Sequence, residues 1–264
     1  VATVRAAFRP AAVAPEHFRV ATFVNTVDLF DDAPGFGEEG LRLLDALGLD
    51  GADFFTDTPS AAERALADEL GLDYRFIHAE GLLGAIPSAP VDFDRDALRA
   101  MIDGALADPY WDRELGDDPD PDARFLVLGD EIGGVQLAGP AYRAEYIAWL
   151  TDHDVAPADL GLASLDEAEP LEEMGWWRIP EVRPDPSDAA AARRYVWALR
   201  FWNEASAEIY AFGRAALVER YGAMPASFNA GTPLGALYFQ RVLGADYQAM
   251  AAAKAVTGFL GEGF

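Results

Sequence analysis

Glu131 follows Asp130 at the end of a short apolar run, Phe125-Leu126-Val127-Leu128, with Gly129 before the two acids and Gly133-Gly134 after them. A continuous apolar run bounded by turn residues reads as a strand covered on both faces. The carboxylates then arrive at the C-terminal end of a core strand, where α/β folds gather their ligands. A carboxyl partly buried beside a second negative charge holds its proton longer than usual, which makes Glu131 the candidate general acid/base. Sugar hydrolysis asks for such an acid and for a second carboxylate as nucleophile or base. The same pair reads equally well as a helix cap or as the partner of an arginine. Other expected strand ends bring Asn25 and Asp28, Asp57, His78 and Glu80, and Asn229. That set is rich in carboxylates and amides and poor in cations. It suits neutral, hydroxyl-rich ligands, or a hard cation held by oxygens.

The elements that must carry these residues alternate along the chain. Arg19–Val27 reads as a strand, Glu38–Leu49 as a helix with Leu41, Leu44 and Leu47 at helical spacing, and Asp53–Thr56 as a second strand. Ser60 with Glu63 three residues on forms the capping-box pattern of a helix start. A strand over 72–78, a helix over 94–107, the strand over 124–128 and a helix over 142–152 follow. Residues 153–187 hold five prolines and read as an irregular insertion. A long helix is expected over 189–221, with a break at Gly213, then a short strand over 225–229 and a helix over 234–243. Such an order predicts a parallel sheet with right-handed crossovers. The turn Asp31–Gly37 lacks the G-x-G-x-x-G spacing of a pyrophosphate cradle, and there is no phosphate-binding G-x-x-x-x-G-K-[ST]. The expectation is therefore an α/β fold of the (β/α)8 TIM-barrel type, incomplete, with five to six βα units. Residues 1–18 read as a lead or the end of a preceding domain, and 19–264 as the barrel domain with its insertion at 153–187.

Composition narrows the partners. Twenty Lys and Arg against 45 Asp and Glu give a net charge of -25, which argues against nucleic acid and against an anionic membrane surface. No stretch approaches the roughly 18 apolar residues of a membrane span. The absence of cysteine removes disulfides, thiolate metal sites and cysteine nucleophiles together. No signal pattern is evident, and the start at Val1 rather than Met predicts a processed product or an excised fragment. Localisation stays open between cytoplasmic and extracytoplasmic.

In order, the strand–Gly129-Asp130-Glu131 segment, the helix ending Tyr146-Ile147-Ala148-Trp149-Leu150, and the loop with Asp159-Leu160-Gly161 and Ser164-Leu165-Asp166-Glu167 resemble barrel glycoside hydrolases of the beta-galactosidase type. The similarity continues through Arg200-Phe201 to Ser227-Phe228-Asn229, and spans 19–245 in short motifs. The resemblance implies a glycosidase acting on carbohydrate without a cofactor, with Glu131 as acid/base. Asp130 and Asn229 would contact hydroxyls, and Asp57 and Asn25 would line the pocket with His78 and Glu80. Asp130 stands where the family has Asn. The family's nucleophile comes from strand seven, whereas this chain runs out near strand six, leaving only the glycine-flanked Glu262. A second reading follows from that gap: a non-catalytic carbohydrate-binding or scaffold domain with a degenerate site.

Plainer readings stand beside these. Trp176 and Trp177 form either a sugar-stacking platform or a small local core. His17 and His153 have no spaced partner for a histidine metal site, so no metal is expected there. Asp57, Asp130 and Glu131 would be the ligands of a divalent-metal enzyme, the third reading. Asp117–Asp122 reads as a solvated loop. Trp197, Phe201 and Trp202 fall at helical spacing as packing residues, and Glu204 is set aside because it lies mid-helix.

Overall fold

The structure, a computed structural model, describes residues 21–23, 37–53, 60–73, 76–78, 90–116, 125–128, 134–172, 184–185, 187–224, 226–227 and 247–256. The chain divides into two compact units, Val1–Arg75 and Phe76–Phe264.

In the smaller unit, β1 (Ala21–Phe23) and β2 (Gly51–Asp53) pair in parallel, Ala21 opposite Gly51 and Phe23 opposite Asp53. Two helices, α1 (Gly37–Ala46) and α2 (Ala61–Leu70), bury Leu41, Leu44, Leu66 and Ala67 with Leu72 in one apolar cluster. The expected capping box is present at α2. Ser60 Oγ accepts from Glu63 N at 3.2 Å, and Glu63 Oε2 accepts from Ser60 N at 2.6 Å. Gly71 ends the helix at φ 70°, a left-handed turn that costs glycine nothing.

The larger unit holds β3 (Phe76–His78), β4 (Phe125–Val127) and β5 (Ala226–Ser227), a parallel ladder with β4 in the centre. Around it stand α3 (Arg95–Leu106), α4 (Pro109–Leu115), α5 (Pro140–Asp152), α6 (Ala189–Tyr221) and α7 (Tyr247–Ala252). At 33 residues, α6 runs about 50 Å at 1.5 Å per residue. It supplies Phe201, Trp202, Ala205, Ile209 and Leu217 to the core, against Ile102 and Leu106 of α3, Tyr142, Tyr146 and Leu150 of α5, and Leu126 and Leu128.

The barrel expectation is overturned. The described strands are two or three residues long and form one two-stranded and one three-stranded ladder, and helix dominates the described residues. Strands of a closed barrel must be long enough to stagger around it, and typical strands run to five or six residues. The order of elements is that of an alternating α/β chain. Its apolar surface, however, goes chiefly into helix–helix packing around α6. The break expected at Gly213 is absent, because α6 runs through that buried glycine without interruption. Helices α4 and α7 were not among the expected elements, and 234–243 lies outside the described residues.

Part of the insertion is ordered by arginines. Two 3-10 turns, Pro157–Leu160 and Leu165–Glu167, are held by Arg194 donating to Leu160 O at 2.7 Å and by Arg143, which donates to Asp166 O and pairs with Glu169 at 2.9 Å.

Candidate functional site

Two places in the larger unit arrange polar groups. The first is the C-terminal edge of the ladder. His78 of β3 lies opposite Val127 of β4, and Val127 lies opposite Ser227 of β5, so all three strands end at one level. Glu80 follows His78 by two positions, Asp130 and Glu131 follow Val127 by three and four, and Asn229 follows Ser227 by two. Of the expected site residues, His78 alone has a described backbone. Glu131, Asp130, Asn229, Asp57, Asn25, Glu80, Trp176 and Trp177 lie outside the described residues. Asn25 and Asp57 belong to the chain that follows β1 and β2 of the smaller unit.

The second place is a cleft of about 930 Å³ walled by α5, α6 and α7, with Phe93 at one side. Residues of α5 reach it at Glu145, Trp149 and Asp152, and residues of α6 at Arg200, Glu204 and Glu208, each set on one helix face. Trp149 Nε1 donates to Glu204 Oε2 at 2.8 Å, and Arg200 Nε donates to the other oxygen, Oε1, at 3.1 Å. The Arg200 guanidinium lies 5.3 Å from the Trp149 ring and 5.4 Å from the Trp197 ring, against a pair of indoles that meet edge to face. Trp149 also packs against His153, ring centroids 4.0 Å apart, whose Nδ1 sits 2.8 Å from Trp149 O. At the far end Arg95 of α3 bridges Glu145 at 2.7 Å and Glu208 at 3.0 Å. The hydrogen bond to Glu145, with further help from Glu208, holds the Arg95 pKa above its ordinary value against the cost of burial.

Glu204 is mid-helix, as its position in the sequence requires, but its carboxylate is engaged by Trp149 and Arg200 at the cleft wall. Trp202 and Phe201 are buried packing residues, whereas Trp197 is only half-buried and meets Trp149 edge to face. The signal that points to the cleft is the i, i+4 repetition of Glu145–Trp149 and of Arg200–Glu204–Glu208, which each resemble an ordinary solvated helix face. Among the described residues, no group of three His, Asp or Glu side chains is arranged to hold a metal ion. No described helix is long and apolar enough to cross a membrane. Comparison of the chain with protein-family models, curated proteins and solved structures gives no match.

Proposed function

We propose that the larger unit binds a neutral, hydroxyl-rich ligand of the carbohydrate class at the C-terminal edge of β3–β4–β5. The supporting observation is the common level at which three parallel strands end. Ligands of open parallel sheets sit outside the carboxyl ends of the strands. The segments leaving this edge carry His78, Glu80, Asp130, Glu131 and Asn229, groups that donate to and accept from hydroxyls. A net charge of -25 disfavours anionic ligands there. Asn25 and Asp57 follow strands of the other unit, and binding at this edge does not require them.

Hydrolysis is the second reading, favoured by one feature: Glu131 follows the central strand of the ladder, which has a neighbour on either side. It would then be the general acid. With the barrel overturned, the fold that carries the family's second carboxylate is gone, so binding stands ahead of turnover.

Titration of the chain against a panel of oligosaccharides and aryl glycosides separates the two. Binding without turnover is expected, weakened about tenfold by Asn229→Ala, the loss of one hydrogen bond to a hydroxyl. Turnover that falls by about 10²-fold or more in Glu131→Gln establishes the hydrolytic reading instead. If no saccharide of the panel binds, both readings fail.

A further inference from the structure

We infer that the larger unit is built to gain stability from salt: its arginines grip neutral backbone carbonyls, which salt leaves in place, while the carboxylates at its surface repel one another until salt screens them. This holds whatever the strand edge binds. The net charge is -25, and self-repulsion of that size works against a compact chain. Among the described residues no Asp or Glu is buried, so that repulsion is open to the surrounding ions.

The cations of this unit are used differently. All but one of the 20 Lys and Arg are arginine. Arg220 donates to Leu106 O, the last carbonyl of α3, and Arg194 to Leu160 O, the last of the first 3-10 turn, at 2.7 Å. Arg193 donates to Asp159 O in that same turn, and Arg143 to Asp166 O in the second. Arg214 spans two carbonyls at once, Lys254 O beyond α7 at 2.8 Å and Met224 O between α6 and β5 at 3.1 Å. Carbonyls at helix ends have no acceptor role left within their own helix, and a cation there complements the negative end of the dipole. Residues 154–172 contain no Lys or Arg, so the arginines that hold the two turns come from α5 and α6.

Distance decides which interactions salt removes. At about 0.01 M salt the screening length is about 30 Å, so each carboxylate feels most of the others; at about 1 M it is about 3 Å. That is shorter than the roughly 5–6 Å between neighbours on a helix face, so the repulsion is gone. The arginine–carbonyl bonds to Leu160, Met224 and Leu106 are at contact distance and partly buried, where screening has little hold. Salt also weakens the exposed pairs of Arg95 and Arg99 with their carboxylates, but such pairs contribute little to begin with. The balance therefore favours the folded unit as salt rises.

Urea unfolding of the full chain followed by tryptophan fluorescence tests this, because all six Trp lie in the larger unit. The urea midpoint is expected to rise between about 0.01 M and about 1 M sodium chloride. A midpoint that stays level or falls overturns the proposal. Sodium perchlorate at matched ionic strength, up to about 0.1 M, should raise the midpoint equally, since screening does not depend on the anion. A rise with chloride alone means salting-out of apolar surface and overturns the proposal as well. Arg214→Lys keeps the charge but loses the fork that spans two carbonyls. Its midpoint should lie below that of the unaltered chain by the same interval at both ends of the salt range. An interval that closes at high salt would show Arg214 acting through long-range charge, and would overturn the proposal. Should Arg214→Lys fail to fold, Arg194→Lys gives the same test at Leu160 O.

Discussion

Ser206 carries more of the structure than its size suggests. Its buried hydroxyl accepts from Val135 N at 3.0 Å, and one turn earlier Trp202 Nε1 donates to Val135 O at 2.8 Å. Two side chains of α6 thereby satisfy both backbone groups of one residue in the segment that follows Asp130 and Glu131 in the sequence. Gly134 is required beside them, because a Cβ there would lie 2.3 Å from the Trp202 ring, which is fully buried and has nowhere to move. Ser206→Ala strands the Val135 N–H without its acceptor. The expected loss is about 1–3 kcal/mol, seen as a lower urea midpoint with the slope unchanged. An unaltered midpoint would mean that Val135 finds another acceptor.

Among the elements, α5 and α6 show two ways of starting a helix. Asp188 caps α6 locally, accepting from Ala190 N at 3.0 Å and Ala191 N at 2.9 Å. The residue before α5 is Gly139, which has no side chain to cap with. Asp92 does it from 50 positions away, taking Tyr142 N at 2.8 Å and Ala141 N at 3.2 Å. The Asp92 segment is placed for this by the bridge between Val91 and Leu137, with Val91 N donating to Gln136 O at 3.0 Å. In α3, Gly104 is exposed, interior to the helix, and has open space where a Cβ would go. Gly104→Ala should therefore raise stability by about 0.5–1 kcal/mol through the unfolded chain's lost freedom, measured by chemical denaturation.

At the scale of the whole molecule, burial and charge set the response to pH. Burial raises the pKa of Tyr142, Tyr146 and Tyr210 well above the ordinary value, with nearby Tyr146 and Glu172 adding to the effect at Tyr142. A proton held more tightly in the folded chain than in the unfolded one stabilises fully below the unfolded pKa of about 10 and less as pH climbs past it. Stability should thus fall above about pH 10, with these three of the nine tyrosines ionising only as the fold opens. Absorbance at the phenolate band recorded with circular dichroism checks it. Smooth ionisation of all tyrosines ahead of unfolding would contradict it. Tyr146→Phe should move the alkaline midpoint upward, since the unfolded chain then has one phenolate fewer to gain.

What was legible in the sequence was local. Helices were expected where α1, α2, α3, α5 and α6 stand, Ser60 and Glu63 announced their capping box, and the apolar run at 125–128 announced β4. These signals act over a few residues, so the chain alone carries them. The three strands of the larger ladder were legible too, at 76–78, 125–127 and 226–227. Closure of the strands was not. Whether short strands join into a barrel or stay as small ladders depends on pairing between distant segments, and a 33-residue helix took the apolar surface that a barrel would have used. The cleft had the same origin. Trp149 and Glu204 are 55 residues apart on separate helices, and only the packing of α5 against α6 turns them into one wall. Composition determined the charge of this protein and periodicity its elements, while long-range packing alone decided which faces meet.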